Sequence, residues 1–67
     1  MITRIGITAG DIWHLLERQG KVSLNDIVKQ VEAPKEITLM SIGWLAREGH
    51  VVLEGDAPDY LVYLRQR

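Results

Sequence analysis

Ile37-Thr38-Leu39-Met40-Ser41-Ile42-Gly43-Trp44-Leu45-Ala46-Arg47-Glu48-Gly49-His50-Val51 reads as a helix that stops at a glycine and passes directly into a strand. Leu39, Ile42, Leu45 and Ala46 recur at helical spacing and predict one buried stripe. Ile37, Met40 and Trp44 form a second stripe on another face. A small domain can bury only one of them against itself. Gly49 is the expected left-handed cap of this helix. A glycine inside a helix costs up to about 1 kcal/mol against alanine, so Gly43 reads as a point where the helix passes close to another backbone.

Upstream lie two more helices. Thr8-Ala9-Gly10-Asp11 has the form of an N-cap with an acid three residues on. Ile12, Leu15 and Leu16 follow at helical spacing and Gly20 ends the run, so the first helix is expected over about residues 9–19, with Trp13 beside the stripe. Ile2, Ile5 and Ile7 are expected to be extended, as a short N-terminal strand. After the extended Lys21-Val22, the segment Ser23-Leu24-Asn25-Asp26 repeats the capping pattern. Leu24, Ile27, Val28 and Val31 then give the second helix a single apolar face. Pro34 disfavours helix at the residue before it and suits the first turn of the next. The third helix should therefore run from about Lys35 to Glu48, after a link of about four residues.

Downstream, His50–Glu54 and Tyr60–Leu64 read as two strands of a hairpin around Gly55-Asp56-Ala57-Pro58. The whole is one α+β domain over residues 1–67: three helices and a C-terminal two-stranded wing. The expected core is Ile12, Leu15, Leu16, Leu24, Ile27, Val28, Val31, Ile42, Leu45 and Val51, with one face of the hairpin.

Composition narrows the function. Sixty-seven residues with no cysteine leave no disulfide and no thiolate metal site. His14 and His50 have no ligand spacing around them. Asp11 with His14 reads as a surface pair, and Asp56 and Asp59 as solvated turn acids. No glycine-rich phosphate loop is present. The expectation is a non-enzymatic protein with no metal, cofactor or small-molecule ligand. No apolar run approaches the roughly 20 residues of a membrane span, and the start lacks a signal-peptide core, so a cytoplasmic location is expected.

Ala9-Gly10-Asp11-Ile12-Trp13 with Leu16, and above all Gly43-Trp44-Leu45-Ala46-Arg47-Glu48-Gly49, resemble a family of small bacterial and archaeal winged helix-turn-helix proteins of unknown function. The resemblance covers nearly the whole chain. It implies the winged-helix fold and carries no assigned activity. The wider winged-helix class is mostly DNA-binding, an inference by analogy.

Charge weakens that analogy. The net charge is −1, whereas phosphate contact calls for a basic excess. Lys35 and Arg47 are the only bases on the third helix, and Glu36 and Glu48 balance them. From His50 to Leu64 there is no lysine or arginine, against Glu54, Asp56 and Asp59. A DNA-binding surface would draw on Lys35, Ser41, Arg47, Arg65 and Arg67, with Arg4 also terminal. The second apolar stripe suggests contact with protein instead. Trp13, Ile37, Met40, Trp44, Tyr60 and Tyr63 are the interface candidates, with a homodimer the expected assembly. A rotated third helix would place Trp44 beneath the wing of its own chain. The first expectation is a DNA-binding, regulator-type module acting as a homodimer. The alternative is an interaction module that uses the apolar face of the third helix and does not bind DNA.

Overall fold

The computed structural model describes residues 2–56 and 59–65. Its elements are α1 (Ile2–Gln19), β1 (Val22–Ser23), α2 (Leu24–Gln30), α3 (Lys35–Arg47), β2 (Val51–Glu54) and β3 (Leu61–Leu64). The strands form one antiparallel sheet in the order β1-β3-β2. The architecture is the expected α+β winged helix.

The N-terminal segment differs from expectation. Ile5 and Ile7 lie within α1, whose helix begins at Ile2. The third strand of the sheet is instead Val22–Ser23, which pairs with Leu61 and Val62 of β3. Thr8 is consequently not a cap but a buried mid-helix residue. The physical reason is periodicity: Thr8 and Ala9 carry the inward stripe of Ile12, Leu15 and Leu16 back by one turn. Ile7 faces away from it and is well exposed.

Two capping arrangements act as expected. The Ser23 Oγ accepts the Asp26 N–H at 3.2 Å and starts α2. Gly49 has φ +78°, its N–H donates to the Ala46 carbonyl (3.1 Å), and the His50 N–H donates to the Leu45 carbonyl (2.9 Å). That pair of bonds is a Schellman cap, and it turns the chain from α3 into β2. The His50 carbonyl then accepts the Arg65 N–H at 2.9 Å, extending the β2–β3 ladder.

Asp59 has a role that the sequence did not announce. Its carboxylate accepts the Asn25 N–H at 3.2 Å, and the Tyr60 carbonyl accepts the Leu24 N–H at 2.8 Å. The wing is thereby tied to the first turn of α2. Ala57 and Pro58 of the expected turn lie outside the described residues.

The core gathers Ala9, Ile12, Leu15 and Leu16 of α1, Val22, Ile27, Val31, Ile42, Leu45, Val51 and Val62. Leu24, expected in the core, is half-buried at its margin, and Val28, also expected there, is half-buried outside the core cluster. α1 packs chiefly on α3, and this contact fixes the outer surface of the domain. Replacing Gly49 by alanine forces a Cβ into left-handed backbone, at a cost of about 1–2 kcal/mol. Thermal unfolding should show the midpoint falling by roughly 4–8 °C for each kcal/mol lost.

Candidate interaction face on the first and third helices

The inner face of α3 consists of Ile37, Thr38, Ser41, Ile42 and Leu45, all buried. Two of these are polar, and each satisfies its hydroxyl locally. Thr38 Oγ1 donates to the Pro34 carbonyl (3.2 Å) and Ser41 Oγ to the Ile37 carbonyl (2.7 Å), both one turn back. The Ile5 carbonyl of α1 lies 3.2 Å from the same Ser41 oxygen. Hydroxyls bonded in this way can be buried at little cost, so α3 turns them inward.

Ile42 and Leu45 are buried and Met40, Trp44 and Arg47 exposed, as expected, but three assignments on the helix differ. Ile37, assigned to the outer stripe, is only 7% exposed. Leu39, placed on the stripe with Ile42 and Leu45, is 37% exposed. Ser41 is fully buried and presents nothing to a base edge or a partner. The apolar stripe alone misplaced these three because it treated threonine and serine as surface residues.

The outer face carries Glu36, Met40, Gly43 and Arg47 in line, at helical spacings of four, three and four residues. Leu39 and Trp44 flank this line, with Met40 at 40% and Trp44 at 47% exposure. Gly43 is exposed, and a Cβ built on it would have no neighbour within 4 Å. The expected close backbone approach at Gly43 is therefore not made among the described residues.

Trp44 does not lie beneath the wing. It forms one wall of a groove of about 300 Å³ between α1 and α3. Trp13 is also on the groove, whose lining further includes Ala9, Leu45, Gly6 and Gly10. Neither Gly6 nor Gly10 would bring a Cβ within 4 Å of anything. The His50 ring lies 6.4 Å from that of Trp44, centroid to centroid. The groove is mainly apolar and open to solvent.

Tyr63 belongs elsewhere. It is half-buried under Lys21, whose Nζ is 4.9 Å from the ring centroid. The same Nζ lies 3.4 Å from a Glu54 carboxylate oxygen. Tyr60 is also half-buried. The structure thus brings Trp13 and Trp44 to one groove, with Met40 one turn before Trp44 on the exposed side of α3, while Tyr63 lies in a separate groove with Leu16, Gly20 and Arg65.

The basic candidates are scattered. Lys35 and Arg47 stand at opposite ends of α3, and both are exposed. Arg65 is exposed after β3, with its guanidinium near Gly49. Arg67 lies outside the described residues. His14 faces Glu17, with Nδ1 3.6 Å from the carboxylate, rather than making the expected pair with Asp11. Among the described residues no group of three histidine, aspartate or glutamate side chains could hold a metal ion. No described helix is long and apolar enough to cross a membrane.

Comparison with known proteins agrees with the winged-helix fold. Residues 1–65 match the model of a family described as a winged helix-turn-helix domain, DUF2582. The chain is 40% identical over 65 residues to the uncharacterized protein MJ1608 of the archaeon Methanocaldococcus jannaschii, covering 92% of this chain and 91% of that one. It is also similar to the solution NMR structure of protein BT2368 from Bacteroides thetaiotaomicron, with a TM-score of 0.78 and 32% identity. That match covers 92% of this chain and 76% of BT2368.

Burial on the two sides of α3 predicts unequal costs of truncation. Leu45→Ala removes a buried side chain and should cost about 2–5 kcal/mol of stability. Trp44→Ala, on the half-exposed side, should cost less than about 1 kcal/mol in dilute solution. Urea denaturation at low protein concentration compares the two.

Proposed function

The chain belongs to the DUF2582 winged helix-turn-helix family, and we propose that it acts as a homodimeric binding module whose third helix contacts protein rather than DNA bases. The observation that carries this is the outer surface of α3. Leu39, Met40 and Trp44 are all exposed on one short helix, and Trp44 continues into the apolar groove against α1. Scattered exposed apolar residues need no explanation, but a connected patch with tryptophan and methionine has the composition of an interface core. A second copy is the partner proposed because symmetric dimers are the commonest assembly, and because a domain of 67 residues gains stability from burying a second face. The role is one of binding, without catalysis or a cofactor, in the cytoplasm.

A DNA-binding, regulator-type role is the second reading. The fold class favours it, as does the exposure of Lys35, Arg47 and Arg65. Against it stand the net charge of −1 and a wing whose charged side chains between His50 and Leu64 are all acidic. With Ser41 buried, the outer face of α3 also lacks the amide and hydroxyl groups that read base edges.

Sedimentation equilibrium and a DNA titration at low salt separate the two. The first reading expects a dimer at micromolar concentration, dissociated by Trp44→Ala with the fold intact, and no DNA affinity. A chain still monomeric at high micromolar concentration would overturn it. Tight DNA binding that weakens steeply with salt, and on removal of Lys35 and Arg47, would establish the second reading.

A further inference from the structure

We propose that two copies of this chain pack α3 against α3 in antiparallel fashion, with Glu36 of each copy facing Arg47 of the other and Met40 seated over Gly43. This rests on the homodimer reading above and specifies its register. The two-fold axis lies perpendicular to the helices and passes level with the midpoint between Ser41 and Ile42.

The spacing of the outer face determines this arrangement. Glu36 and Arg47 are equidistant from that midpoint, and so are Met40 and Gly43. An antiparallel two-fold that brings the first pair level therefore brings the second pair level as well. Along the helix axis the charged pair is separated by about 16 Å and the inner pair by about 4.5 Å. One register thus matches an acid with a base at each end, and a long flexible side chain with a vacant position twice in the middle.

Each half of the match leaves something unexplained in the single chain. Gly43 is exposed in mid-helix, and among the described residues no neighbour would exclude a side chain or require glycine there. The Met40 side chain of a second copy would occupy that space. Glu36 and Arg47 are exposed, and among the described residues neither makes an ion pair. A parallel two-fold would set Glu36 beside Glu36 and Arg47 beside Arg47, which like-charge repulsion disfavours. The antiparallel arrangement also opposes the two helix dipoles.

The test is sedimentation equilibrium of the full chain and its variants at low salt, with circular dichroism to verify the fold. Glu36→Arg and Arg47→Glu should each raise the dimer dissociation constant by about tenfold or more, since each creates two like-charged contacts per dimer. The double variant Glu36→Arg/Arg47→Glu should return to within about threefold of the parent. Gly43→Ala should also weaken the dimer while leaving the monomer's urea midpoint unchanged or raised, because alanine is the better helix former. A parent dimer that ignores both single charge reversals, or is not restored by the double reversal, overturns the register and leaves the homodimer standing. A parent chain that is monomeric throughout overturns both.

Discussion

The rotation of α3 about its own axis decides what this domain can touch. That rotation is set by the packing of α3 on α1, where Ile37, Thr38, Ser41, Ile42 and Leu45 all turn inward. The inner face is not uniformly apolar. Thr38 and Ser41 can lie there because their hydroxyls return to carbonyls one turn earlier, and Ser41 also meets the Ile5 carbonyl of the neighbouring helix. Small side chains at these positions allow α1 to approach. Once they are inside, Leu39, Met40 and Trp44 must be outside, and the surface chemistry of the helix follows.

The consequence is a winged helix whose third helix is correctly placed for a reading head but carries a different surface. A major-groove reader needs side chains that offer paired donors and acceptors, supported by positive charge. The outer line of α3 carries one acid, one base, one methionine and one glycine, flanked by leucine and tryptophan. The wing adds no compensating charge. Of its acids, Asp59 is held to the start of α2 and Glu54 lies beside Lys21. These are internal ties that hold the sheet to the helices, and they leave the wing with no cation to offer a phosphate.

Much of the architecture was legible because it depends on local rules. The Gly49 stop, the Ser23 cap, the Pro34 break and the two wing strands each have a mechanism confined to a few residues, and all appear where those residues stand. The first turns of α1 were not legible. Ile2, Ile5 and Ile7 alternate as a strand would, and the continuation of the helical stripe through Thr8 and Ala9 shows only when a threonine is admitted to the core. The same omission shifted α3: counting only large apolar residues placed Ile37 outside and Leu39 inside. The Trp13, Met40 and Trp44 part of the candidate surface was legible because such large side chains could not all fit one small core. Tyr63 was not, because its separation from that patch depends on sheet register and not on any short-range signal.

Gly43 shows why burial and helix propensity must be weighed together. In the middle of an exposed helical face, glycine is the poorest choice short of proline, costing up to about 1 kcal/mol relative to alanine. Such a cost within a chain is usually offset by a close contact, and here the described residues supply none. Gly49 and Gly20 differ, since their positive φ values of +78° and +79° give each a reason within the single chain. A glycine with no conformational reason and no neighbour among the described residues, bordered by an exposed methionine and placed between an acid and a base, therefore fits a surface shaped for close approach by another molecule.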